Sequence, residues 1–118
     1  MSWVPWQQMV LSCLRDLSDT EQQRQTWLNM NGGDLPPPGE LVCQLFDDTG
    51  LDEELEIGTA ISPECDVVLR ELGRKLDDID FDQPTRMLLK DPAWHEAGSM
   101  AATAVRIMER ISSDADTG

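Results

Sequence analysis

The densest run of side chains able to do chemistry is Leu45 to Gly58, LFDDTGLDEELEIG. It holds six acids, Asp47, Asp48, Asp52, Glu53, Glu54 and Glu56, and no base. Carboxylates at that density suit a hard divalent cation, and an EF-hand loop places ligands at positions 1, 3, 5 and 12 around a glycine at 6. With Gly50 at position 6, Asp47, Thr49 and Glu56 fall at 3, 5 and 12, but position 1 is Leu45. The register fails at its leading ligand, so no metal site is expected here. A second run, KLDDIDFDQP, alternates Asp78, Asp80 and Asp82, yet Gln83 replaces the glycine and Leu89 the last ligand. Alternating carboxylates can still hold a divalent ion weakly; the plainer reading turns Ile79 and Phe81 to the core and the aspartates to water.

Other chemistry is sparse. His95 is the single histidine and there is no tyrosine, so neither an HExxH pair nor a His-based relay can be assembled from sequence. No nucleophile elbow, Walker A or GxGxxG pattern occurs. The expectation is a protein that is not an enzyme and needs no cofactor. Cys13, Cys43 and Cys65 are odd in number, widely spaced and flanked by apolar residues, which reads as buried free thiols rather than a disulfide framework or a zinc site.

Charge narrows the partners. The net charge is −14, and the 45 residues between Arg24 and Arg70 contain ten acids and no Lys or Arg. Such a field repels phosphate backbones and anionic lipid and attracts basic surfaces. The expected partner is a basic protein, with no direct nucleic acid and no membrane contact. No apolar run nears the roughly 18 residues that span a bilayer, and MSWVPWQQM lacks a signal-peptide pattern, which gives a cytoplasmic expectation.

The elements that must position these residues read as helices. A chain of 118 residues, 40% apolar, suits one domain with one core, here residues 1–111, followed by a disordered tail at 112–118. Pro5 opens a first helix whose face is Trp6, Met9, Val10, Cys13, Leu14 and Leu17. Ser18-Asp19-Thr20-Glu21 matches a capping box and starts a second helix, running to about Met30 and stopped at Asn31-Gly32-Gly33. LPPPG, Leu35 to Gly39, is a stiff connection. A third helix carries Leu41, Val42, Leu45 and Phe46 and ends at Gly50. A turn around Leu51 to Glu56 sets Leu51 and Leu55 on one side, either to close the core or to anchor a partner.

Ser62-Pro63 opens the clearest helix, with Cys65, Val68, Leu69, Leu72, Leu76 and Ile79 on one face. Gly73 costs that helix about 1 kcal/mol relative to alanine, and a close helix contact is the expected compensation. A short helical segment is expected from Pro84 to Leu89, and Asp91-Pro92 opens a last helix bearing Trp94, Ala97, Ala101, Ala104, Val105, Met108 and Ile111. Trp27 and Trp94 are expected in the core, while Trp3 and Trp6 either cap one end of the bundle or anchor a partner. The class expected is all-α, a compact bundle of five or six helices.

With that size, acidity and helical build, ELVCQLFDDTGLDEEL followed by CDVVLRELGRKLDDID resembles the small acidic immunity proteins of bacterial contact-dependent inhibition and related polymorphic toxin systems. The likeness is one of overall character across Glu40 to Glu109, and no site residue is carried over from it. It implies a chain that binds a cognate toxin domain, often a basic nuclease, and covers its active or substrate-binding surface. The contact surface then expected from charge is Asp47, Asp48, Leu51, Asp52, Glu53, Glu54 and Glu56. The rival readings are an acidic DNA mimic and a small helical adaptor or regulatory subunit.

Overall fold

Prolines and cap residues set most of the helix starts. In the computed structural model, residues 3–29 and 36–117 are described, with the side chains of residue 29 and residues 113–117 left aside. The elements are α1 (Pro5–Ser18), α2 (Thr20–Asn29), α3 (Pro38–Cys43) continuing into a π-helical turn (Gln44–Asp48), α4 (Leu51–Ile57), α5 (Pro63–Asp77), α6 (Thr85–Leu88) and α7 (Pro92–Thr117). The class is all-α, and no strand occurs among the described residues. Among the described residues there are seven helices rather than five or six, chiefly because Leu51 to Glu56 forms a helix instead of a turn. The stop expected at Asn31-Gly32-Gly33 lies outside the described residues. Of the expected tail at 112–118, residue 118 lies outside the described residues and the backbone of α7 is helical to Thr117.

The caps show how the chain changes direction. Ser62 accepts a hydrogen bond from the Cys65 amide at 3.1 Å with Pro63 behind it, as expected. Asp91 accepts from the Ala93 amide at 2.9 Å and starts α7 in the same way. The capping box at Ser18 is not formed. Ser18 still belongs to α1 and its hydroxyl donates back to the Arg15 carbonyl at 2.9 Å, so Asp19 becomes the cap, accepting from the Gln22 amide at 3.0 Å. Asp66 departs from the surface role its charge implies: it is 1% exposed and accepts from the amides of Ala60, Ile61 and Ser62 at 2.8, 2.9 and 3.3 Å. It binds the α4–α5 connection to the start of α5, and such charge-assisted bonds exceed neutral ones in strength.

The core lies between α1, α5 and α7. Helix α7 packs along α1 on one side and α5 on the other, presenting Trp94, Ala97, Ala101, Ala104 and Met108, all essentially buried. Small residues allow that approach. A β-carbon on Gly98 would sit 3.4 Å from the Leu17 carbonyl oxygen of α1. Ion pairs Lys75–Glu96 and Arg110–Glu64 join α5 to α7, and their opposed order makes those helices antiparallel; Arg15–Glu109 joins α1 to α7. Exposed pairs of this kind contribute about 0–1 kcal/mol each.

Gln23 completes the seam. Fully buried, it donates to the Asp16 and Leu17 carbonyls at 2.8 and 2.9 Å and accepts from the Trp94 indole at 3.0 Å. One side chain thus satisfies the C-terminal carbonyls of α1 and the buried N–H of α7. Trp94 is core, with Trp27 and Phe81 packed on its ring at centroid distances of 6.1 Å. Met9, expected on the inner face of α1, is instead 48% exposed.

Candidate partner-binding groove

The acidic stretch is folded by two local devices. In the π-helical turn, Thr49 is buried; its hydroxyl donates to the Leu45 carbonyl at 2.5 Å and accepts from the Leu51 amide at 3.1 Å. Gly50 then adopts φ = 81°, a left-handed conformation that favours glycine, and its carbonyl receives the Glu54 amide at 3.1 Å. Asp52, Glu53 and Glu54 occupy the first turn of α4, where the helix dipole favours negative charge. Part of the acidity is therefore explained by the helix that carries it.

The two roles open to Leu51 resolve to the core: it is fully buried, and a partner would not reach it. Leu55 is half-buried on the outer side. Asp48 is exposed and faces α1, where its charge helps raise the Cys13 thiol.

Beside α4 the surface opens. α4 packs chiefly on the π-helical turn, and between it and α5 lies a groove of about 270 Å³ lined by Phe46, Asp52, Leu55, Glu56, Leu69, Arg70, Gly73, Arg74 and Asp77. Two adjoining hollows, about 250 and 260 Å³, share Phe46 and Asp52 and add Asp47, Glu53 and Cys43 to the lining. Of the residues expected at the contact surface, Asp47, Asp52, Glu53 and Glu56 meet here; Asp48, Leu51 and Glu54 do not line it. Phe46 and Leu69 are buried and form the floor with Gly73. Arg70 donates to the Leu55 carbonyl at 3.0 Å, closing one end across α4 and α5.

Electrostatics mark the rim. The Asp52 carboxyl is pushed above its ordinary value of 3.8, first by burial and then by the charges of Asp47, Glu56 and Asp77. Three neighbouring carboxylates thus act on Asp52 beside the apolar floor. Among the described residues, no three His, Cys, Asp or Glu side chains are placed to hold a metal ion. Asp78, Asp80 and Asp82 are exposed, Asp80 accepting from the Asp82 amide at 2.9 Å, while Ile79 is buried and Phe81 half-buried.

The α5 side of the groove was not singled out from sequence. Leu69, Arg70, Arg74 and Asp77 share one arc of α5 in ordinary amphipathic positions, and the one local signal is Gly73. Its expected close contact is Phe46, but a β-carbon there would meet Cζ and Cε1 of that ring at 3.6 and 3.7 Å, ordinary van der Waals separations. Alanine would fit. Cys43 also departs from expectation, being exposed, whereas Cys13 and Cys65 are buried and their thiols are raised to about 11 and about 12, chiefly by burial. Trp3 and Trp6 are half-buried against the core, and His95 is exposed. No described helix is long and apolar enough to cross a membrane.

Comparison with curated proteins and with solved structures gives no match. A family described as "Domain of unknown function (DUF7945)" matches residues 1–116, nearly the whole chain, and the protein belongs to that family.

Proposed function

We propose that this chain is a cytoplasmic, non-enzymatic binding protein that neutralises a basic protein, acting as an immunity protein that covers the active or substrate-binding surface of a cognate bacterial toxin domain. The observation that carries the reading is the groove between α4 and α5, an apolar floor of Phe46, Leu69 and Gly73 rimmed by Asp47, Asp52, Glu56 and Asp77. Apolar floors supply affinity, and a rim in which four carboxylates outnumber Arg70 and Arg74 favours fast, selective association with a basic surface. The size and acidity that the chain shares with small immunity proteins point to the same class of partner. A nuclease is the natural toxin, since its substrate groove is basic and a carboxylate-rimmed surface repels nucleic acid itself.

The test begins with the reading frame beside this gene. Expression of its product alone should arrest growth, and co-expression of this chain should restore it. The triple variant Asp52→Lys, Glu53→Lys, Glu56→Lys should fold, retain its helical circular dichroism and lose the rescue. A harmless neighbouring product, or rescue undiminished by the triple variant, would overturn the assignment.

A further inference from the structure

We propose that the hollow over Gly73 receives one leucine-sized apolar side chain, carried between lysine or arginine residues on the basic partner. This rests on the reading of the chain as a binder of basic proteins and specifies what such a partner must present.

Gly73 lies inside α5, the helix with the clearest amphipathic pattern, where glycine is the poorest residue other than proline. Packing does not require it there, because a β-carbon would find only ordinary contact with the Phe46 ring. Nor does the backbone, since Gly73 sits in regular helix and, among the described residues, Gly50 is the glycine with positive φ. The missing methyl deepens the floor between Phe46, Leu69 and Leu55. Space kept empty at the expense of helix propensity is accounted for by an occupant that fills it on binding.

The dimensions and charge identify that occupant. The groove of about 270 Å³ and its adjoining hollows of about 250 and 260 Å³ are open to solvent and have room for a leucine-sized side chain. Asp47, Asp52, Glu56 and Asp77 outnumber Arg70 and Arg74 around the opening, and Arg70 is turned to the Leu55 carbonyl. A cation on either side of the buried side chain meets that rim. A second copy of this chain, at −14, would bring like charge to it.

The experiment uses two probes on the full chain, followed by amide chemical shifts at low salt: a lysine pentapeptide with leucine at its centre, and the same peptide with alanine there. The leucine peptide should shift the amides of Gly73, Phe46 and Leu55 and bind about tenfold more tightly than the alanine peptide, the discrimination expected for burying the extra methylenes. Gly73→Ala should melt about 2–4 °C higher than the wild type and bind both peptides alike. Equal binding of the two peptides to the wild type, with Gly73 unmoved, would overturn the inference and leave the acidic surface standing. Binding of neither peptide would remove both readings. A lower melting temperature for Gly73→Ala would show that glycine is structural and would overturn the argument from spare space.

Discussion

Gly98 in α7 and Gly73 in α5 interrupt long helices in very different surroundings. Gly98 faces the backbone of α1, with the Leu17 carbonyl 3.4 Å from where its β-carbon would be, and that carbonyl is held by Gln23. Gly73 faces a soft aromatic edge and an open groove. The first glycine is required by a closed seam in which polar groups are paired and charges matched. The second lies at a corner where acids gather and space is left unfilled. A helix glycine therefore signals function only after packing has been shown not to need it.

That contrast can be broken first at the thiols. Cys13 and Cys65 belong to the closed part, with thiols raised to about 11 and about 12, while Cys43 beside the groove is exposed. Native protein at pH 8 should react with a maleimide at Cys43 alone, the buried pair lagging by a hundredfold or more, on the order set by their thiolate fractions. Mass spectrometry of the labelled peptides would read this. Equal labelling of all three would mean that the seam is open.

Gln23→Ala should be the costliest substitution, about 3 kcal/mol by urea denaturation, because it strands the buried Trp94 N–H and removes the bond to the buried Leu17 carbonyl. Gly98→Val should lose about 2 kcal/mol, its branched side chain meeting a carbonyl that cannot turn away. At the corner the sign reverses: Gly73→Ala should gain about 0.5–1 kcal/mol. A loss at both glycines would erase the distinction drawn between them.

The smallest effect concerns protons. The folded-state pKa of Asp52 is raised above 3.8 by burial and by Asp47, Glu56 and Asp77, so the native state takes up its proton at higher pH than the unfolded chain. The ionised carboxylate therefore opposes folding at neutral pH, and this opposition fades as pH falls through the folded pKa toward 3.8. Asp52→Asn should be slightly more stable than the wild type at pH 7 in low salt. Urea midpoints across pH should converge as 3.8 is approached, and added salt should narrow the gap at pH 7.

Much of the architecture was legible along the chain. Ser62-Pro63 and Asp91-Pro92 marked helix starts correctly because a cap and a proline act within one turn. Ser18 misled for the same reason: several residues nearby could cap, and which one does depends on where α1 releases the chain. The helix at Leu51–Ile57 was read as a turn because two leucines supply too little periodicity, while the Thr49 hydroxyl and the left-handed Gly50 that start it act through contacts. Four of the seven residues expected at the contact surface do line the groove, since their acidity is a property of composition. Leu51 does not, because an apolar side chain near acids is equally able to turn inward.

The sequence by itself determined an all-helical chain, its main helix starts and a negative field between Arg24 and Arg70, all of which depend on neighbours one or two turns apart. Only the tertiary structure decided which acids share one rim, that Asp66 is buried beneath three amides, and that a groove opens between α4 and α5. The reason is physical: burial and the distance between helices depend on how side chains far apart in the chain fill a common volume, and no local pattern carries that volume.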